Sequence, residues 1–314
     1  MSSDSASTLA SVSPRRAALS LSSVGVRLLS ATAYVVSALL ALAILSPIAV
    51  SFWGAMTTSK AMGTASEVGP GWQAPAALTK AGDIYAERTQ AQTGYFTSLW
   101  YRYVLRVYGK TILFSLQLAV VSVMLTTVIG VAASYALVRY RFAGQGLIEE
   151  VVLLPMSIPG IAVAIALIQA HTTLRPTWYI ILVGHLLYTM PFMIRAVINT
   201  LRSFDFIELE QAAASLGATW WQRMRWVILP NLKHAILIGS LLVFAISLGE
   251  FNASFLLNTP INQTYPAALY DTYNLDSFQV SSAATTVFML MLFPALVALQ
   301  YVGGRELEEA GQGA

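Results

Sequence analysis

Glu210-Gln-Ala-Ala-Ala-Ser-Leu-Gly217, followed ten residues past the glycine by Val227-Ile-Leu-Pro230, lies between two long apolar stretches. Asp205 and Glu208, just ahead, have the spacing of a capping box and predict a helix start there. Leu209, Ala212, Ala213 and Leu216 recur at i, i+3, i+4 and i+7, so the helix carries one apolar face. Gly217, directly after the last apolar position, suits the residue that closes a helix in the left-handed conformation, because it has no Cβ. Beyond Ala218, Thr219 and Gln222 form a second capping box. It opens a short helix through Trp220, Trp221, Met224 and Trp226 that Pro230 should end or bend. Helix, sharp turn and aromatic helix between membrane stretches read as a rigid knob able to fit a cleft on a soluble partner. Tryptophans that merely anchor the loop at the membrane surface are the plainer alternative.

Outward from this loop, six stretches are long and apolar enough to cross the bilayer: 28–54, 112–137, 151–170, 177–199, 235–256 and 281–302. A helix needs about 20 residues to span the hydrocarbon layer. Unpaired backbone groups in lipid cost several kcal/mol each, so such runs must be helices, and the fold class is an all-α integral membrane protein with a cytoplasmic helix-turn-helix loop. Basic residues set the orientation. Arg15, Arg16 and Arg27, Arg139 and Arg141, the segment Arg195 to Lys233, and Arg305 share one side, while the short loops opposite carry only Arg175. The basic side is the cytoplasmic one, which places both termini inside. The expected order is a cytoplasmic tail 1–27, a first membrane helix 28–56, an external loop 57–110, a membrane domain 111–302 containing the loop 205–230, and a cytoplasmic tail 303–314. The external loop turns aromatic and basic from Tyr95 to Tyr108. It should end in a short interfacial helix with Trp100, Tyr101, Tyr103 and Tyr108 at headgroup depth, as simple anchors or as a partner contact.

Composition agrees with lipid as the solvent. Charged residues make up 11% of the chain, against roughly 25% in soluble domains, and the mean hydropathy is +0.65. A net charge of +3 scattered over loops offers nothing to nucleic acid. With no cysteine there are no disulfides, thiolate metal sites or cysteine nucleophiles. His171, His185 and His234 lack metal-ligand spacing, and His185 reads as a packed hydrogen-bonding partner. Gly109-Lys-Thr111 mimics the end of a phosphate-binding loop, but Val104 stands where its first glycine is required. Glu149 and Glu150 should complement the dipole at the start of the third helix. Pro47, Pro155, Pro159, Pro191 and Pro294 lie within membrane stretches and should bend them. The one carboxylate set at membrane depth is Glu250, in Ser247-Leu-Gly-Glu-Phe-Asn-Ala-Ser254 on the outer part of the fifth membrane helix. Such a group faces a bundle interior or a water-filled path. Together with Ser247 and Asn252 it marks a substrate path, or else it is a packing residue near the interface.

The 210–230 segment resembles the EAA signature of the membrane subunits of type I binding-protein-dependent ABC importers, with Gln211 where the family usually has glutamate and Val227 for isoleucine. Tyr135-Ala-Leu-Val-Arg-Tyr-Arg-Phe142 and Leu153-Leu-Pro-Met-Ser-Ile-Pro-Gly160 are similar to the same family, so the resemblance covers the five helices from 111 to 302. The resemblance implies a non-catalytic permease subunit in a bacterial cytoplasmic membrane, coupled to the ATPase through Glu210, Gln211, Ala212, Ala213, Gly217, Ala218, Trp220, Leu229 and Pro230. It further implies a pair of ATPases carrying ATP and magnesium, a second permease subunit, identical or related, and an external solute-binding protein. No cofactor is implied for this chain. The Ser247–Ser254 segment resembles the branch that moves small charged solutes such as polyamines, phosphonates, ferric ion, sulfate and molybdate. The alternatives are a sugar permease of the same family and a membrane-embedded receptor or enzyme.

Overall fold

Of the five prolines in the membrane stretches, one interrupts a helix. In a computed structural model describing residues 23–57 and 98–312, Pro47, Pro155, Pro191 and Pro294 are all carried inside helices. Only Pro159 stands at an interruption. Proline disfavours the helical region for the residue before it, and Ile158 is extended at ψ 131°. The stretch expected to cross as one helix from 151 to 170 is therefore two, bent by 107°.

The regular elements are α1 (Ser23–Met56), α2 (Leu99–Arg139), α3 (Gln145–Ser157), α4 (Gly160–Ala170), α5 (Trp178–Ser203), α6 (Phe206–Ser215), α7 (Trp220–Arg223), α8 (Leu229–Gly249), α9 (Asn252–Leu257), α10 (Tyr265–Leu275) and α11 (Phe278–Gln312). A 3-10 turn spans Thr172–Leu174 and a π-turn spans Met224–Ile228. Among the described residues five helices are long and apolar enough to cross a membrane, or six if the bent pair α3 and α4 is one span. The described residues up to Ala49 fall in one unit and those from Val50 in a second. In the first, the described side chains of α1 from Thr32 to Ala49 are exposed.

Two expectations are corrected at the helix ends. The aromatic segment does not form a separate interfacial helix, since α2 begins at Leu99 and runs unbroken for 41 residues. Trp100 and Val104 are buried with Tyr265, Ala268, Val280, Ala283 and Ala284, and Tyr101, Tyr103 and Tyr108 pack against this cluster. The rings find protein before they find headgroups. Tyr108 Oη also donates to Asp276 at 2.8 Å, and buried Tyr265 donates its backbone N–H to Ser115 Oγ and its hydroxyl to the Ala284 carbonyl. Burial pushes the Tyr265 phenol pKa up, keeping it a donor. Glu149 is the second correction: the fifth residue of α3, it lies past the first turn and pairs with Arg202 of α5 at 2.7 Å.

Lipid tails are as apolar as leucine, so membrane helices associate through close approach and hydrogen bonds. Both devices are present. A Cβ added at Gly130 of α2 or Gly239 of α8 would lie 2.8 Å from Met193 of α5, so the two glycines let three helices close on one side chain. Around it Val131, Tyr135, Val197, Leu201, Ile228, Leu232 and Val243 are buried. Ser134 Oγ donates to the Gly130 carbonyl, and Thr126–Thr189 and Thr127–Ser240 hydroxyl pairs link α2 to α5 and α8.

Candidate functional site

Two regions collect the residues singled out in the sequence: the loop between α5 and α8, and a cavity beside the end of α8. In the loop, α6 does start after Asp205, although Asp205 does not cap it with its side chain. Its backbone (φ −76°, ψ 65°) instead makes an inverse γ-turn, closed by the Phe206 N–H on the Phe204 carbonyl at 2.8 Å. The helix end follows expectation. Gly217 has φ +82°; its N–H bonds the Ala214 carbonyl at 2.9 Å and that of Ala218 bonds Ala213 at 3.1 Å. This paired closure is the Schellman arrangement. Thr219 and Gln222 form the capping box at both of its bonds.

Pro230 does not end the helix that it enters. The stretch Trp220–Gly249 continues as one candidate span, with the π-turn Met224–Ile228 immediately before Pro230. Proline lacks the N–H that an α-turn would use and clashes with the carbonyl four residues back. The wider turn, in which the Leu229 N–H reaches Met224 O, comes just before that position, and Asn231 Nδ2 takes the Val227 carbonyl at 2.7 Å. Leu229 and Pro230 thus sit in the join between loop and membrane helix.

The loop has two faces. Phe206 and Glu210 are buried against the bundle, one turn apart. Leu209, Gln211, Ala212 and Leu216 are exposed, Leu216 at 88%, and so are Trp220, Trp221 and Trp226; Ala213 and Ala218 are half-buried. Glu210, expected in the coupling set, points inward. Tyr135 Oη donates to its Oε1 at 3.0 Å, Arg139 Nε to its Oε2 at 2.7 Å, and Arg223 Nη1 lies 3.3 Å from Oε1. Nothing in the sequence marked Arg139 and Arg223 as its partners, since they arrive from elements 71 residues before it and across the Gly217 turn.

The second region is a cavity of about 530 Å³ lined by residues that include Met156, Gly160, Tyr188, Phe192, Glu250 and Asn252. It forms where two interrupted helices meet. A Cβ at Gly160, the first residue of α4, would fall 2.7 Å from Asn252 Cβ, the first residue of α9. Glu250 does not lie within the fifth membrane helix, because α8 stops at Gly249 and Glu250 is extended at ψ 115°. Its carboxylate bridges the break, accepting from the Ala253 N–H at 3.0 Å and the Ser254 N–H at 2.9 Å. These are orphan donors at the start of α9, so the charge is held at the positive end of a helix. Asn252 shares the cavity, whereas Ser247 is 3% exposed and bonded to His185 Nδ1 at 2.8 Å. His185 Nε2 reaches Ser254 Oγ, also at 2.8 Å, so the buried imidazole joins α5, α8 and α9 as a packing partner.

Comparison with known proteins follows the same outline. A family model described as the binding-protein-dependent transport system inner membrane component matches residues 126–305. The spermidine/putrescine transport system permease protein PotC of Escherichia coli is 27% identical over 213 residues, covering 66% of this chain and 80% of its own. The molybdenum transport system permease protein ModB of Escherichia coli is 27% identical over 222 residues (65% and 96%), and the sulfate transport system permease protein CysW of Synechococcus elongatus 30% over 198 (58% and 68%). A chain of the MetNI methionine ABC transporter, solved in inward facing conformations, shares the fold at TM-score 0.53 and 17% identity, over 64% of this chain and 97% of that one. The family's permease subunits are non-catalytic multi-pass proteins of the bacterial inner membrane, with ATP hydrolysis on separate subunits. With more than half its length matched, this chain belongs to the binding-protein-dependent transport system inner membrane components, as a permease subunit of an ABC importer.

Proposed function

We propose that the 205–230 loop docks onto the ATPase through Leu209, Leu216, Trp220 and Trp221, and that the cavity beside Glu250 and Asn252 belongs to the solute path. The observation that carries the first half is the exposure of these large apolar side chains on a loop rich in polar groups. Leu216 is 88% exposed and Trp221 62%, beside Glu208, Gln211, Gln222 and Arg225. A patch of this kind, presented on two short helices locked by a glycine turn and a capping box, suits a protein partner. Trp226 is assigned to the membrane interface instead, with the Arg225 guanidinium 5.7 Å from its ring centre. The assembly contains two ATPase copies with their ATP and magnesium, a second permease subunit and an external solute-binding protein. Both chain termini and the loop lie on the cytoplasmic side.

The solute is small and charged, in keeping with relatives named for spermidine and putrescine, molybdenum and sulfate. The sugar alternative rests on no feature of the cavity. Docking is tested by purifying the tagged chain from its own membranes with whatever ATPase accompanies it. Leu216→Asp together with Trp221→Ala should release the ATPase while the permease remains membrane-inserted. Full retention of the ATPase would refute the docking face.

A further inference from the structure

We propose that Glu210 is the internal joint of the loop: a positioning residue that ties the docking helices to α2 and to the head of α8 and does not itself touch the ATPase. The proposal rests on the docking face described above and adds how force leaves that face. Three observations carry it. First, the Glu210 side chain is 3% exposed, and the residues on the outer face of α6 are Leu209, Ala212 and Leu216. A carboxylate so placed has no surface to offer a soluble partner.

Second, its partners come from two other elements. Tyr135 and Arg139 belong to the last two turns of α2, and Arg223 closes α7. One charge therefore pins three helices. Phe206, one turn earlier on the same face of α6, is buried with its ring centre 6.3 Å from that of Tyr135, so an apolar contact backs the ionic one. Two guanidinium groups meet a single carboxylate, and Arg223 Nε is buried with no hydrogen-bond partner among the described residues. The cluster holds one donor in reserve, so the contact to Arg223 can be re-formed as the helices tilt.

Third, the pinned elements lead to the cavity. Trp220 to Gly249 is continuous through the π-turn, so a displacement at Arg223 enters the same helix whose far end, at ~1.5 Å per residue, lies about 26 residues on. That end supplies Ala245, Ile246, Gly249 and, just past it, Glu250 to the cavity wall. Docking face, Glu210 and cavity are thus linked by one helix and one ion cluster. A joint of this kind couples the two sites without contacting either ligand.

The chain has no cysteine, so Ala245→Cys gives a single reporter in the cavity wall. The experiment uses the assembly purified through this chain with its accompanying ATPase, in lipid nanodiscs. It reads the ATPase-to-permease ratio, and the maleimide labelling rate at position 245 without nucleotide and with ATP and vanadate. With the loop unmodified, nucleotide should change the labelling rate at least about fivefold, the lower end of ordinary coupling between sites. Glu210→Gln should keep the ATPase ratio while the labelling response falls below about twofold. Loss of the ATPase from an inserted Glu210→Gln chain would show a contact residue and overturn the proposal. So would an unchanged labelling response in Glu210→Gln, or no response with the loop unmodified. If Glu210→Gln does not insert, Arg139→Lys and Tyr135→Phe weaken the same cluster more gently, and a full response in both overturns the joint. Retention of the ATPase by the Leu216→Asp, Trp221→Ala chain is a different result, which removes the docking reading itself.

Discussion

At Gly217 the constraint is the backbone and not the space around it. Its φ is +82°, yet an added Cβ would meet no atom within 4 Å. Side chains are therefore not excluded by clash but by the cost of the left-handed conformation, roughly 1–2 kcal/mol, which asparagine bears better than branched residues. Gly217→Val should lower ATPase association and transport in an inserted chain, and Gly217→Asn should retain most of both. Comparing the two variants by co-purification checks this, since a purely steric turn would reject both alike. Glu250 calls for a different test. Glutamine offers one acceptor where the carboxylate offers two, and would set its NH2 against a backbone N–H of α9. Glu250→Gln should therefore cost about 1 kcal/mol, in the range of a lost cap. Thermal stability and transport should fall together. A loss of transport at unchanged stability in detergent would assign the charge to the solute alone.

At the scale of elements, the breaks organise the functional half of the molecule. Ile158 is extended before Pro159, Glu250 is extended after Gly249, and the two interruptions face each other at Gly160 and Asn252. The imidazole of His185 secures the second break, with Ser247 on α8 and Ser254 on α9 each 2.8 Å from one of its nitrogens. His185→Leu removes both bonds and leaves two buried hydroxyls. In membrane proteins such bonds average about 0.6 kcal/mol, with a maximum near 1.7, so a loss of about 1–3 kcal/mol is expected. Thermal unfolding of the purified chain measures it; a variant as stable as the parent would mean that the serines find other partners. The break near 250 was not legible beforehand, because no proline marks the site and Gly249 and Glu250 stand singly between apolar stretches that are together long enough for one unbroken span. The break at 158 was half legible: five prolines were visible, but which of them would interrupt a helix depended on packing around each.

At the scale of the whole molecule, orientation is argued from charge, and the structure makes it testable at defined exposed positions. Ser203, exposed, ends α5 just before α6, and Ile261, 90% exposed, lies between α9 and α10. In a chain without native cysteine, Ile261→Cys should react with an impermeant maleimide in spheroplasts and Ser203→Cys should react only after lysis. The reverse pattern would invert the topology. What the sequence by itself determined was the class of the molecule: hydropathy over 20-residue windows, basic loops, and the glycine and capping residues around 217–222 are local signals, each read from neighbours in the chain. Tertiary structure alone decided that Glu210 turns inward to Tyr135, Arg139 and Arg223, that the aromatic start of α2 is buried on Tyr265 and Ala283, and that Glu250 caps a broken helix at the wall of a cavity. Each depends on which distant side chain or backbone group meets a given polar or aromatic one, and in a low-dielectric interior that pairing, not residue type, sets whether a group serves contact, packing or path.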